Sequence, residues 1–208
     1  MATKISICVT VKNRSKVQGN YLFPNTIRSI VNCVKPGEAE ICIADWSSTD
    51  YPIKSWIYTE AKGVPVKVVN VSKPGFNRGL GLNAAAAKAT SKILLFTDSD
   101  ILLNREMIDL ARKVPFTNTA YFPRVRLTTH LGTPVSSGRL WLRGCAVAIV
   151  MQEWWQKVKY RTHYWYGPQN WGGEDNDFYD DIEALGIKVE RPELPSVLHQ
   201  WHPRKVLN

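Results

Sequence analysis

A chain of 208 residues is the length of one domain, or of one domain with a small appended lobe, which excludes a string of separate modules. With 44% hydrophobic and 22% charged residues the composition is that of an ordinary globular chain, and disordered, collagenous and disulfide-scaffold classes are excluded. The formal charge is +9, from 27 Lys and Arg against 18 Asp and Glu, and the excess lies in the first 150 residues. A basic body of this kind suits a phosphate-bearing cofactor, nucleic acid or acidic lipid, and it also suits ordinary solubility.

The first hundred residues alternate between short apolar runs and helix-like stretches. Strands are predicted at Ile5–Val11, Ile41–Ala44, Val66–Val71 and Ile93–Thr97, with helices at Asn25–Cys33, Ile53–Ala61 and the alanine-rich Leu80–Ala89. That rhythm predicts an α/β fold, a parallel sheet with helices on its faces. After Asp100 it breaks: a helix is predicted over Asn104–Lys113, strands over Tyr121–Leu127 and Cys145–Val150, and a helix over Glu174–Leu185 ending at Gly186. Ile187–Glu190 reads as a final strand before a proline-bearing tail.

The four cysteines, Cys8, Cys33, Cys42 and Cys145, lie far apart without a C-x-x-C pair, so zinc-knuckle and thioredoxin-type chemistry are excluded and reduced core thiols are expected. The N-terminus enters a strand pattern at once, and no apolar run approaches the roughly 20 residues that span a bilayer. A cytoplasmic chain without a transmembrane helix is expected.

In parallel sheets ligands bind beyond the carboxyl ends of the strands, so the strand-to-loop junctions are where chemistry is sought. After the first strand come Thr10, Val11, Lys12, Asn13 and Arg14, basic and amide groups suited to a nucleotide, or else a solvated loop. The second strand ends at Asp45, a candidate for a base hydrogen bond, while Ser48 to Asp50 read equally as a cap or Asx-turn. Phe76, Asn77 and Arg78 precede the alanine-rich helix, where an arginine can meet phosphate.

The fourth strand runs into Asp98-Ser99-Asp100. Two carboxylates one residue apart repel unless a cation or donors sit between them, and hard oxygen ligands suit Mg2+ or Mn2+ holding a diphosphate. Use as an N-cap of the following helix would explain one aspartate but not both. Trp171, Gly172, Gly173, Glu174 and Asp175 open a predicted helix; acids there are favoured by the helix dipole, and alternatively one serves as general base. Near the C-terminus, His199 is a candidate third metal ligand beside the two aspartates, with His202 the lesser candidate.

Taken in order, Lys12-Asn13-Arg14, Phe76-Asn77-Arg78, Asp98-Ser99-Asp100 and Trp171-Gly172-Gly173-Glu174-Asp175 resemble the motifs of GT-A glycosyltransferases, in particular inverting family 2 and the β-1,4-galactosyltransferase family. The resemblance covers most of the chain. It implies one GT-A domain over residues 1–208, with a Rossmann-like, mostly parallel sheet in the nucleotide-sugar part (1–103) and a smaller acceptor and base part (104–208). It also implies roles. Thr10, Lys12, Asn13, Arg14, Phe76 and Arg78 would contact the nucleotide and its diphosphate, Asp45 the uracil, Asp98 and Ser99 the ribose or donor sugar. Asp100 with Asp98 and His199 would hold Mn2+ or Mg2+; Trp171, Gly172, Gly173 and Glu174 would line the sugar site, and Asp175, with Glu174 as its catalytic neighbour, would be the base of an inverting displacement from a UDP-sugar. The galactosyltransferases' metal-binding methionine falls near Ser196, which leaves room for a different coordination, and Asn176 replaces an acid that helps hold the acceptor; galactose and N-acetylglucosamine do not carry over as donor and acceptor.

Arg124, Arg126, Arg139 and Arg143, alongside many aromatics, suit a glycan or lipid-linked glycan or a hydroxymethylated DNA base as acceptor, with a protein or small molecule the remaining alternative. A sugar-nucleotide nucleotidyltransferase and a non-catalytic nucleic-acid-binding module are the competing classes. The first lacks its glycine-rich loop at residues 11–19, and the second leaves Asp98, Asp100, Asp175 and His199 unexplained.

Overall fold

The computed structural model describes residues 4–129, 133, 145–163 and 173–203. β1 (Ile5–Val11), β2 (Ala39–Asp45), β3 (Val66–Asn70) and β4 (Ile93–Asp98) run parallel, with β1 between β2 and β4. β1 and β2 are buried along their whole length, which is why they read as continuous apolar runs without alternation. Beyond β4 the sheet continues through β8 (Val147–Met151), β6 (Thr119–Tyr121) and β9 (Lys188–Glu190), giving the order β3-β2-β1-β4-β8-β6-β9, with β8 antiparallel to both its neighbours. The mixed α/β architecture with a mostly parallel sheet is the one expected.

Helices cover this sheet. α1 (Leu22–Cys33) begins three residues before the predicted Asn25, because Pro24 is tolerated in a first turn. Ile53–Ala61, expected as one helix, is a 3-10 turn at Ile53–Ser55 followed by the short α2 (Ile57–Glu60). α3 (Arg78–Ala86) starts two residues early, capped by Asn77, whose side chain accepts from the Leu80 N–H. It packs on β1 and β2 at close range. A Cβ on Gly81 would stand 2.0 Å from Thr10 Oγ1, and one on Gly79 2.3 Å from the Arg161 carbonyl oxygen.

α4 (Arg105–Ala111) is capped by Asn104, which accepts from Met107 N–H, and gives way to the short α5 (Val114–Thr117). The Asn104 cap removes the reading of Asp98 or Asp100 as helix caps. The predicted strand Tyr121–Leu127 is two: β6 ends at Tyr121 and, past Phe122-Pro123, β7 (Arg124–Leu127) joins a separate sheet. α6 (Gln152–Val158), directly after β8, was not predicted, and α7 (Glu174–Ala184) matches its prediction to within a residue.

The proline-bearing tail is also a strand. β10 (Glu193–His199) lies between β5 (Ile101–Leu102) and β7 in a three-stranded sheet, antiparallel to β5 and parallel to β7. Pro195 argues against a central strand, but the register shifts between Glu193 and Leu198, so an irregularity absorbs the missing donor. This small sheet matters because it brings His199 opposite Ile101, beside Asp100.

All four cysteines are free and buried, as expected. Among the described residues no helix is long and apolar enough to cross a membrane.

Candidate active site

Register places the predicted junctions along one edge of the sheet. Thr10 pairs with Asp98, and Val11 with Asp45, so the carboxyl ends of β1, β2 and β4 are level. The strand order reverses between β1 and β4, which makes this edge the switch point where a crevice opens.

On the β1–β2 side the side chains are largely occupied with one another. Thr10 is buried beneath α3 and accepts from Trp46 Nε1 at 3.0 Å. Asn13, at φ 51°, donates its N–H to Ser48 Oγ and accepts from the Thr49 N–H at 2.8 Å, fastening the loop after β1 to the loop after β2. Asp45 Oδ1 accepts from the Ser48 N–H at 3.0 Å, so the Asx-turn is built on Asp45 itself. Phe76 meets the Trp46 ring edge-on at 5.4 Å between centroids. Lys12 is exposed.

On the β4 side, acids and bases converge. Arg78 is only 7% exposed and all three of its donor nitrogens are engaged: Nε to Asp98 Oδ1 at 2.6 Å, Nη1 to Glu174 Oε1 at 3.3 Å, Nη2 to the Cys145 carbonyl at 3.0 Å. The face of Tyr160 lies 5.8 Å from its guanidinium carbon. The guanidinium expected on the diphosphate thus lies inside the protein, joining β4 to the first turn of α7. Burial and the neighbouring Asp100 push the Asp98 carboxyl up to about 6 despite the pull of Arg78.

Gly173 precedes α7 at φ 130°, a conformation that favours glycine. Asp175, half-buried in that first turn, accepts from the Cys145 N–H through Oδ2 at 2.5 Å and from the Asn176 N–H through Oδ1 at 2.9 Å. A carboxylate held in this way has a fixed orientation. Trp171, Gly172, Arg139 and Arg143 lie outside the described residues.

Asp100 sits between two imidazoles. His202 Nε2 is 3.2 Å from Oδ2 and His199 Nε2 is 3.7 Å from Oδ1. Ligand atoms of the three residues lie within 4.8 Å of one another. Burial opposes ionisation of Asp100, but the hydrogen bond from His202 and the charges of His199, His202 and Arg14 outweigh it and hold the carboxyl below its ordinary value. Its Oδ1 is buried without a hydrogen-bond partner. An orphaned carboxylate oxygen facing imidazole nitrogens fits a divalent cation, since one carboxylate and two imidazoles are acceptable to Mn2+ or Zn2+.

His202 Nδ1 has two neighbours, the Pro203 carbonyl oxygen at 3.0 Å and Arg14 Nη1 at 3.1 Å. Donating to Pro203 leaves the Nε2 lone pair for a cation; accepting from Arg14 turns Nε2 into a donor toward Asp100. Asp98, expected in the metal set, accepts from Arg78 and stands outside this cluster, which His202 completes beside Asp100 and His199. The sequence signal for His202 was its spacing from His199; Gln200, Thr26 and Thr128, which hold this segment, gave none.

Residues 6–116 match the family described as Glycosyl transferase family 2, which is more than half of the chain. The chain belongs to glycosyl transferase family 2. Residues 130–203 of this family 2 chain also match the family described as N-terminal domain of galactosyltransferase. Mouse chondroitin sulfate synthase 3 is 26% identical over 153 residues, 63% of this chain and 16% of that protein, so the family 2 domain spans under a fifth of that relative.

Among solved structures, Staphylococcus aureus TarS (residues 1–349) has a TM-score of 0.73 at 17% identity, covering 95% of this chain and 60% of the other. The same protein in complex with UDP-GlcNAc gives 0.71 over 98% of this chain and 60% of TarS. A mannosyltransferase from Pyrobaculum calidifontis in complex with GDP-Man and Mn2+ gives 0.71 at 17% identity, over 100% of this chain and 59% of that one. These likenesses bear out the GT-A fold expected from the sequence.

Proposed function

We propose that this domain transfers a sugar from a UDP-sugar to an acceptor hydroxyl with inversion, using a divalent metal. The observation that carries the reading is the Asp100, His199 and His202 cluster with its orphaned Asp100 Oδ1, lying at the switch point of a family 2 fold. The nucleotide sugars and Mn2+ in the structural neighbours support the same reading.

Asp100, His199 and His202 would hold the metal, which supplies positive charge for a departing diphosphate. Asp45, with Oδ1 taken by the Ser48 N–H, would use its other oxygen for the base, and the Asn13–Ser48 pair would hold the loops around it. Asp98, braced by Arg78, faces the same edge and is suited to the ribose or donor sugar. Asp175 accepts the proton of the attacking hydroxyl as the new bond to the anomeric carbon forms and the old bond leaves its electron pair on the diphosphate. The two backbone N–H groups on Asp175, one on each oxygen, fix the orientation of the carboxylate.

For the acceptor we propose an anionic glycan. Arg124 and Arg126 of β7 lie in the sheet that carries His199, and chondroitin sulfate synthase 3 is a relative. A hydroxymethylated DNA acceptor is the alternative, and it would show as a steep salt dependence of duplex binding together with sugar transfer to that duplex.

The donor reading is tested by thermal shift with UDP- and GDP-sugars, each with and without Mn2+. A UDP-sugar is expected to raise the melting temperature only when Mn2+ is present. No shift with any nucleotide sugar would refute the reading.

A further inference from the structure

The metal reading requires three side chains from two segments, 98–100 and 199–202, to hold one geometry. The main chain between the two histidines is gripped from both sides. On one side Thr128 donates its N–H and its hydroxyl to the His199 carbonyl, at 3.0 and 3.1 Å, and Thr128 Oγ1 accepts from the Trp201 N–H at 2.8 Å.

On the other side stands Gln200, 8% exposed. Its backbone N–H donates to the Asp100 carbonyl at 2.9 Å. Its side-chain amide donates to the Leu22 carbonyl at 3.0 Å and to Thr26 Oγ1 at 3.2 Å, while its Oε1 accepts from Asn25 Nδ2 at 3.2 Å. Thr26 Oγ1 in turn donates to the Ser99 carbonyl at 3.0 Å. The path closes on itself: Ser99 and Asp100 carbonyls, Gln200, Thr26, and back to Ser99. Asp100 and both imidazoles are therefore referenced to the first turns of α1.

We propose that Gln200, acting with Thr26, is a positioning residue for the metal site, setting the distance between Asp100 and the imidazoles of His199 and His202. The proposal rests on the metal reading above. A side chain that only docked β10 onto α1 would add to stability and leave metal affinity untouched. Partners of this kind around metal ligands commonly change affinity by about 10- to 100-fold when removed.

The test is Mn2+ titration of the purified protein without nucleotide, followed by the loss of the free-Mn2+ magnetic resonance signal, with melting temperature measured in parallel. Gln200→Leu is expected to weaken Mn2+ binding by about tenfold or more. Thr26→Val, close in shape but without the hydroxyl, is expected to weaken it in the same direction, and Thr26→Ser to restore it. The Thr26 pair decides the matter if Gln200→Leu does not fold. Unchanged Mn2+ affinity in the folded variants, even with a lower melting temperature, overturns the role of Gln200 alone. Absence of Mn2+ binding by the wild-type chain overturns the metal reading itself.

Discussion

Asp175 illustrates how far single residues were legible. Its position after a glycine pair, opening a helix, identified it from sequence as either a dipole-favoured acid or a base. The structure adds the Cys145 N–H and Asn176 N–H that hold its two oxygens, and neither donor carries a sequence signal because both are main chain. Asp175→Asn removes the proposed proton acceptor and preserves size. The expected outcome is a fall in kcat of about 10²- to 10⁴-fold with donor affinity nearly unchanged, measured by single-turnover transfer alongside donor titration. Arg78 shows the opposite case: an arginine before a helix reads as a phosphate contact. Only the fold reveals that Asp98, Glu174 and the Cys145 carbonyl already occupy it.

Elements were most legible where burial on both faces produced unbroken apolar runs, as in β1 and β2, and least where local rules conflicted with tertiary context. β10 was hidden by Pro195 and by an exposure pattern without regular alternation. The break between β6 and β7 falls at Phe122-Pro123, where the proline marks it, but the change of sheet partner across it has no local signal. The alanine-rich α3 was legible as a helix, but the demand on its glycines was not. A Cβ at Gly81 would meet Thr10 Oγ1 at 2.0 Å and Trp46 Nε1 at 2.8 Å. Gly81→Ala would add helix propensity in isolation, yet here it is expected to destabilise the protein by about 1 to 3 kcal/mol, because overpacking outweighs propensity. Chemical denaturation measures this, and Thr10→Ala, which removes the hydroxyl, is expected to recover part of the loss in the double variant.

Across the whole molecule, part of the positive charge is matched at the edge of the sheet opposite the candidate site. Glu40, whose side chain is 1% exposed, accepts from Ser6, from Thr90 N–H and hydroxyl, and from Lys4 and Lys67. Burial disfavours its charged form, but those donors outweigh burial and hold its carboxyl down at about 2. A carboxyl depressed in the folded state contributes stability above its unfolded value, near 4.5, and that contribution is lost as pH falls toward 2. Unfolding free energy measured across this window is expected to decline, and the decline is expected to flatten in Glu40→Gln. That variant is expected to be about 1 to 3 kcal/mol less stable at neutral pH, since it removes the charged acceptor of several donors while the part-exposed Lys4 and Lys67 return to water.

The three-stranded sheet has a consequence for the order in which the protein matures. The parallel strands whose ends form the candidate crevice are complete by Asp98, whereas His199 and His202 arrive about a hundred residues later and reach Asp100 only when β10 has inserted between β5 and β7. Contacts so distant in the chain close slowly. On the metal reading proposed above, the crevice at the strand ends would thus form during synthesis well before the cation site, and competence would arrive in one late step, when a single strand finds its slot.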